Sequence, residues 1–437
     1  MAVTKRVYPG PVAGHLNPPA DKSISHRALI FSALASGVSR ISNLLRAGDV
    51  LSTSRCLQAL GVTVQQSGDQ VLVHGQAGCF SSPRGPLQVG NSGTTLRLMT
   101  GALAAQPLQV LLSGDHSLNR RPLQRVLQPL RLMGVKAYCT PAGTAPVLLL
   151  GQRLRGIDYR LPVASAQLKS ALLLAALQAD GETTIIDPVP SRDHSERMLM
   201  AMGINLSRYE GQIKIRGHQQ LLGRDLAIPG DISSAAPFIT AAALCPGSVL
   251  RVSAVGLNPT RIGLLHVLRR MGADIRITIT SDDGNEPLGN VLVQYNGQLS
   301  GIEVLPEEIP LLIDEVPLLV VAACLAEGDT VIGGVGELRV KESDRVEGIV
   351  QPLRLMGARI EVKGDVLRVQ GQSQRFSGHR VLSGHADHRL AMALAVAATV
   401  ADGPVGICGA EWVSISYPDF FHQLARLQRE AKAGCAF

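Results

Sequence analysis

The sequence predicts an α/β protein of six β-α-β-α-β-β units, grouped into two domains of three. Two recurrences predict this. A short polar cluster followed by a small-residue apolar run occurs six times, headed by Asp21-Lys22-Ser23, Asn91-Ser92-Gly93-Thr94-Thr95, Ser165-Ala166-Gln167, Asp231-Ile232-Ser233-Ser234, Asp314-Glu315 and Asp387-His388-Arg389. A second pattern, Leu-x-x-(Leu/Met)-Gly-(Val/Ile/Ala), occurs five times in phase with the first and places Gly61, Gly134, Gly203, Gly272 and Gly357 roughly seventy to eighty-five residues apart.

The elements follow in order. A helix is expected to open at each polar cluster, with the alanine- and leucine-rich runs at about 28–35, 96–105, 168–179, 235–244, 316–326 and 389–401 following. The recurring glycine suits the left-handed position just past a helix end. An alternating strand follows each one, as in Val62-Thr63-Val64, Val135-Lys136-Ala137, Ile204-Asn205-Leu206, Ala273 to Ile277 and Ala358 to Val362. A unit of about seventy residues is too long for a solenoid repeat. The best boundary is near Pro229-Gly230-Asp231, and the leading segment Val3 to Pro11 could join either domain. Asp282 to Pro287 reads as a surface turn, and Gly434 to Phe437 as a frayed tail.

Composition narrows the function. A chain of 437 residues with 46% hydrophobic and 18% charged residues is that of a globular protein with large cores. The seven cysteines are scattered without a CxxC pair, against a disulfide framework or a zinc site. Residues 1–40 show no signal-peptide pattern and the apolar runs are too short for a bilayer, so a cytoplasmic protein without membrane contact is expected. The net charge of +7 points to anionic ligands. With 3% aromatics and no basic run of five, nucleic acid is not the expected partner.

Helix N-termini carry unpaired N–H groups and partial positive charge, which suits small anions. Lys22-Ser23-Ile24-Ser25-His26-Arg27 is the densest such segment, with Ser23 a possible cap and Lys22 and Arg27 supplying charge. In Asn91 to Thr95, Gly93 lets a ligand approach the backbone. Pro122, after Arg120-Arg121, suits the first turn of a helix. Ser191 to Glu196 has the form of a capping box, with Arg192 its ligand candidate and His194 structural. Glu342, between Lys341 and Arg345, is a candidate proton carrier, while Asp314 is either an N-cap or a base. His385-Ala386-Asp387-His388-Arg389 fits an anion-binding His/Arg pair better than a metal. No nucleophile elbow and no cysteine at a basic helix start is present, so covalent catalysis is not indicated.

Taken together, Asp21 to Arg27, Gly90 to Thr94, Arg121-Pro122, Ser165 to Gln167, Lys341 to Arg345 and Asp387 to Arg389 closely resemble the 5-enolpyruvylshikimate-3-phosphate synthase family, over about residues 8–424. The resemblance implies a two-domain inside-out α/β barrel, with domains 20–231 and 1–19 plus 232–437. It implies transfer of the enolpyruvyl group of phosphoenolpyruvate to the 5-hydroxyl of shikimate 3-phosphate, through a tetrahedral intermediate and with no metal or organic cofactor. By motif, Lys22, Ser23, Arg27, Ser165, Ala166, Gln167, Arg192, Asp314 and Lys341 would hold shikimate 3-phosphate. Lys22, Gly93, Arg121, Gln167, Arg345 and Arg389 would hold phosphoenolpyruvate. Asp314 would be the base on the attacking hydroxyl, Glu342 the acid toward the methylene carbon, and Lys22 a sharer of proton traffic; a monomer is expected.

Two features depart from many members or mark a subclass. Val413 to Asp419 lacks the lysine many members carry there. Ser165 to Lys169 and Arg121 to Arg125 resemble a subclass with glyphosate-tolerant members, yet Gly93 is kept. The sister enzyme acting on UDP-N-acetylglucosamine uses a loop cysteine, whereas His116 occupies that loop here. An RNA-end-processing protein built from related repeats would need salt-sensitive RNA retention.

Overall fold

The computed structural model describes residues 3–282, 286–372 and 374–434. Asp283 to Asn285 of the expected surface turn and Cys435 to Phe437 of the expected tail lie outside the described residues. The chain divides into two compact units. The first is residues 20–229, joined by Glu286; the second takes residues up to Pro19 together with the chain from Gly230 onward.

Among its described residues the first unit holds six α-helices: α1 (Lys22–Leu34), α2 (Gly48–Ala59), α3 (Gly93–Leu103), α4 (Gln124–Met133), α5 (Ala166–Ala176) and α6 (His194–Ala201). The odd-numbered three are the small-residue helices and are buried nearly all round. A helix apolar on every face has no side to give to water, so it becomes the core. Small residues let these helices approach closely: a Cβ on Gly101 of α3 would overlap the Ala171 carbonyl of α5. The sheets form the outer layer, and strands such as Gln212–Arg216 alternate exposed and buried residues. The arrangement is thus inside-out, helices within and sheets around them.

Each of the three sheets repeats one pattern. The strand before a buried helix pairs parallel with the strand after it, and a hairpin then adds two antiparallel strands. Leu87–Gly90, Gln109–Gly114, Val147–Leu150 and Lys136–Tyr138 show this order. The recurring glycines terminate the intervening helices, with φ of 89° at Gly61, 118° at Gly134 and 93° at Gly203. A left-handed residue costs glycine nothing and reverses the chain into the strand. In the sheet around α1 the leading strand is Asp225–Ala227, from the end of the unit, parallel to Val38–Ser42. The backbone N–H of Asp21 donates to the Pro229 carbonyl at 2.8 Å and closes that seam.

The second unit has α7 (Ile232–Leu244), α8 (Gly263–Arg270), α9 (Val316–Leu325), α10 (Arg345–Leu355), α11 (His388–Thr399) and α12 (Phe420–Lys432). Here α7, α9 and α11 are the buried three. Its seam mirrors the first, Asp231 N–H donating to the Pro19 carbonyl at 2.8 Å. Ala13–Leu16 leads the first sheet, parallel to Val249–Gly256. The sixth unit differs from the expected β-α-β-α-β-β: its sheet has three strands, Arg380–Ser383, Val405–Cys408 and Thr4–Val7. The N-terminal strand pairs antiparallel with Val405–Cys408, and the chain ends in α12 instead of a hairpin. The three sheets within each unit are not hydrogen-bonded to one another among the described residues.

Candidate active site

In the first unit the N-termini of α1, α3 and α5 are tied together by polar side chains. Asp21, not Ser23, caps α1, its carboxylate accepting from Ile24 N–H at 2.8 Å. Ser92 and Ser165 cap α3 and α5 through Thr95 and Leu168 N–H. Lys22 opens α1 and its Nζ lies 3.2 Å from Asp49 Oδ2 of α2. His26, one turn on, is fully buried and meets Thr53 Oγ1 at 2.7 Å; Thr53 meets Thr95 at 2.7 Å, and Thr95 donates to Ser92 Oγ at 2.7 Å. Burial pushes His26 down to about 3, with Asp49 opposing and Lys22 and Arg27 reinforcing the shift.

Arg27 is buried yet among the described residues bonds only neutral oxygens: Ser195 Oγ at 2.8 Å, the Ser23 carbonyl at 2.9 Å and Ser170 Oγ at 2.7 Å. Burial lowers its pKa to about 10 even though Glu196 and Asp21 favour the charge. A buried guanidinium bonded to no carboxylate is prepared for an anionic ligand.

Around α3 and α5, Arg121 Nη2 donates to Asn91 Oδ1 at 2.6 Å, and Gln167 Nε2 donates to Thr94 Oγ1 at 3.0 Å. Arg97 Nη1 donates to Gln167 Oε1 at 2.7 Å. A Cβ on Gly93 would stand 2.7 Å from Arg97 Nη1 and 3.6 Å from Arg121 Nη1, so this glycine faces two guanidinium groups. Arg97 is a cation the motif reading missed; its signal was the spacing of four residues from Gly93, one helical turn. Asp49 had no local signal, because α2 brings it to Lys22 from 27 residues away. Ala166 is the first residue of α5, and Arg192 is half-buried in the coil before α6.

Two local expectations are corrected. Ser191 to Glu196 forms no capping box: Asp193 sits at the N-cap without a side-chain cap bond, and Glu196 is drawn inside to Lys169 at 2.7 Å. Pro122 precedes the helix rather than occupying its first turn, since α4 begins at Gln124. His194 is buried, its Nδ1 2.6 Å from Glu286 Oε1.

In the second unit Arg345, the first residue of α10, is buried among three carboxylates. Its Nε donates to Asp387 Oδ2 at 2.8 Å, Nη1 to Asp314 Oδ1 at 2.9 Å and Nη2 to Glu342 Oε2 at 2.6 Å. Burial alone would lower the guanidinium pKa, but Asp387, Glu342 and Asp314 outweigh it and raise it. Burial would likewise raise the Asp387 carboxyl, and Arg345 overrides it to hold the pKa low. Asp387 also caps α11 through Arg389 N–H at 2.8 Å and accepts from Ser343 Oγ at 3.1 Å. Asp314 is therefore not a helix cap: Glu315 takes the N-cap position of α9, without a side-chain bond. Glu315 instead accepts from Ser233 Oγ and lies 3.9 Å from Arg389 Nη1. Arg389 Nη1 also donates to the Ser233 carbonyl at 3.1 Å, beside the N-terminus of α7. Asp314, Lys341 and Glu342 are each half-buried, reachable from solvent. No cluster of three or more His, Cys, Asp or Glu fit for a metal occurs among the described residues. No helix is long and apolar enough to cross a membrane among them.

The family profile for EPSP synthase (3-phosphoshikimate 1-carboxyvinyltransferase) matches residues 7–424. The 3-phosphoshikimate 1-carboxyvinyltransferase of Bacillus subtilis is 44% identical over 420 residues, covering 96% of this chain and 98% of that protein. Its counterpart in Halorhodospira halophila is 47% identical over 426 residues, covering 97% and 95%. Among solved structures, EPSP synthase from Acinetobacter baumannii aligns over 98% of both chains with a TM-score of 0.87 at 39% identity. The enolpyruvyl transferase NikO from Streptomyces tendae aligns over 98% and 97% with a TM-score of 0.77; at 20% identity that is a likeness of fold alone.

Proposed function

The chain belongs to the EPSP synthase family, and on that footing we propose that it transfers the enolpyruvyl group of phosphoenolpyruvate to the 5-hydroxyl of shikimate 3-phosphate, releasing phosphate. Asp314 takes the hydroxyl proton as the oxygen attacks C2 of phosphoenolpyruvate. Glu342 delivers a proton to the methylene carbon C3, giving a tetrahedral intermediate. Loss of a C3 proton then expels phosphate and restores the double bond. Lys22 shares in this proton traffic.

The observation that carries the reading is the Arg345 fan. Asp314 and Glu342 bond the two terminal nitrogens of one planar guanidinium, so they flank a common space in fixed orientation. General acid and general base on neighbouring atoms of one substrate need that proximity. Shikimate 3-phosphate is held by Lys22, Ser23, Arg27, Ser165, Ala166, Gln167, Arg192, Asp314 and Lys341, with Arg27 available to an anion as described. Phosphoenolpyruvate is held by Lys22, Gly93, Arg121, Gln167, Arg345 and Arg389. Cationic groups aimed at the developing charge stabilise the intermediate. All these residues lie on one chain, and the working form is a cytoplasmic monomer, which sedimentation velocity and cell fractionation test.

The first test is phosphate release by the purified protein with both substrates and with each omitted. Release that requires both is expected. A folded protein that releases none, or that uses UDP-N-acetylglucosamine equally well as acceptor, overturns the reading.

A further inference from the structure

An ion cluster that the proposed chemistry does not use is buried between α5 and α6. Lys169 Nζ lies 2.9 Å from Asp187 Oδ2, 2.7 Å from Glu196 Oε1 and 3.0 Å from the Ser191 carbonyl oxygen. Asp187 Oδ2 also accepts from the Ser191 N–H at 3.0 Å and its hydroxyl at 2.8 Å. Glu196 has 0% exposure, and no hydrogen bond reaches its Oε2 among the described residues; at Oε1 the Lys169 contact is an ion pair without hydrogen-bond alignment. A buried pair with an unsatisfied oxygen seldom repays its desolvation. Stability alone does not account for it.

Its place in the chain does. Lys169 directly precedes Ser170, and Glu196 directly follows Ser195. Those two hydroxyls are 2.6 Å apart, and they accept from Arg27 Nη2 and Nε. The remaining Arg27 bond, to the Ser23 carbonyl, stays within α1. Among the described residues, every bond that holds the guanidinium from outside its own helix therefore runs through serines adjacent to the Lys169–Glu196 pair. The Lys169–Glu196 pair thus joins α5 to α6 beside the two serine hydroxyls that accept from Arg27. After burial, Glu196 is also the largest influence on the Arg27 charge.

We propose that Lys169 and Glu196 are positioning residues that aim Arg27 at an anionic group of the acceptor substrate. The inference rests on the reading that Arg27 binds shikimate 3-phosphate. It predicts an effect on the acceptor and none on the affinity for phosphoenolpyruvate.

The experiment is calorimetric titration of the full chain with shikimate 3-phosphate alone, for wild type, Lys169→Met, Glu196→Gln, Arg27→Ala and the Lys169→Met/Arg27→Ala double variant. Thermal melts and the KM for phosphoenolpyruvate are measured alongside. Lys169→Met is expected to raise the acceptor Kd on the order of tenfold, the equivalent of one charge-assisted hydrogen bond. The KM for phosphoenolpyruvate should stay near wild type. In the Arg27→Ala background the same substitution should add nothing, because a residue acting through Arg27 has nothing left to aim. If Lys169→Met does not fold, Glu196→Gln, which keeps the Lys169–Asp187 pair, carries the same expectation. A lower Tm with unchanged acceptor Kd, or equal effects with and without Arg27, overturns the proposal and leaves the Arg27 reading intact. Wild-type affinity in Arg27→Ala overturns the Arg27 reading itself.

Discussion

Glu342 and His26 show how differently two polar side chains can be used. Glu342 is half-buried and held by Arg345 at 2.6 Å, whereas His26 is sealed in the first unit. Glu342→Gln keeps the shape and an acceptor for Arg345 but removes the proton carrier. We expect kcat to fall by about 10²–10⁴-fold with shikimate 3-phosphate binding intact; titration and single-turnover assays check this, and an equal loss of binding would make the residue structural. His26 is neutral in the fold, lowered to about 3 from an ordinary 6.5 chiefly by burial. The unfolded chain protonates it below about 6.5, so its contribution to stability is full above that pH and is lost as pH falls toward 3. His26→Asn should therefore change the stability gap to wild type between pH 6.5 and the acid end of the folded range. A gap independent of pH in thermal melts would refute it. At this scale Lys22, Arg27, Gly93, Asp314 and Glu342 could be singled out as candidates from residue type and place at or near a helix start, while Arg345 entered as a ligand through the family resemblance. Arg97, Asp49 and the capping identity of Asp21 could not, because each depends on a partner chosen by packing or local geometry.

The buried helices depend on their smallest residues. Gly101 of α3 leaves no room for a methyl group before the Ala171 carbonyl of α5. Backbone cannot move aside as a flexible side chain can. Gly101→Ala should therefore destabilise by about 1–3 kcal/mol despite its better helix propensity, read as a fall in Tm of several degrees; a rise in Tm would show that the helices separate freely. Helix identity was legible here because apolar residues on all faces and a following glycine are local signals. The structure starts these helices at their polar clusters, α1 at Lys22 and α7 at Ile232, because the capping aspartate sets the first turn and apolar content does not. The failed capping box at Ser191 to Glu196 has a tertiary cause: a glutamate free to reach back to the N-cap is captured by Lys169.

The two units differ in how continuous their chain is. The first contains its own core and takes its closing strand, Asp225–Ala227, from the same stretch of sequence. Residues 20–229 expressed alone should melt cooperatively, since Glu286 is the one described residue of that unit from outside this stretch. Residues 230–437 alone lack Ala13–Leu16 and Thr4–Val7, which leaves Val249–Gly256 and Val405–Cys408 with unpaired edges. That fragment should aggregate unless residues 1–19 are supplied, and light scattering with and without that peptide decides it. The sequence by itself determined the repeat, the buried helices, the helix-ending glycines and the family motifs, because each is encoded by neighbours within one or two turns or strands. Only the tertiary structure decided which strand completes which sheet, that Arg345 collects three carboxylates, and that Lys169 and Glu196 stand behind Arg27. Apart from Arg345 and Glu342, three positions apart, those choices join residues tens to hundreds of positions apart, where burial and charge pairing act through space and leave no periodic trace along the chain.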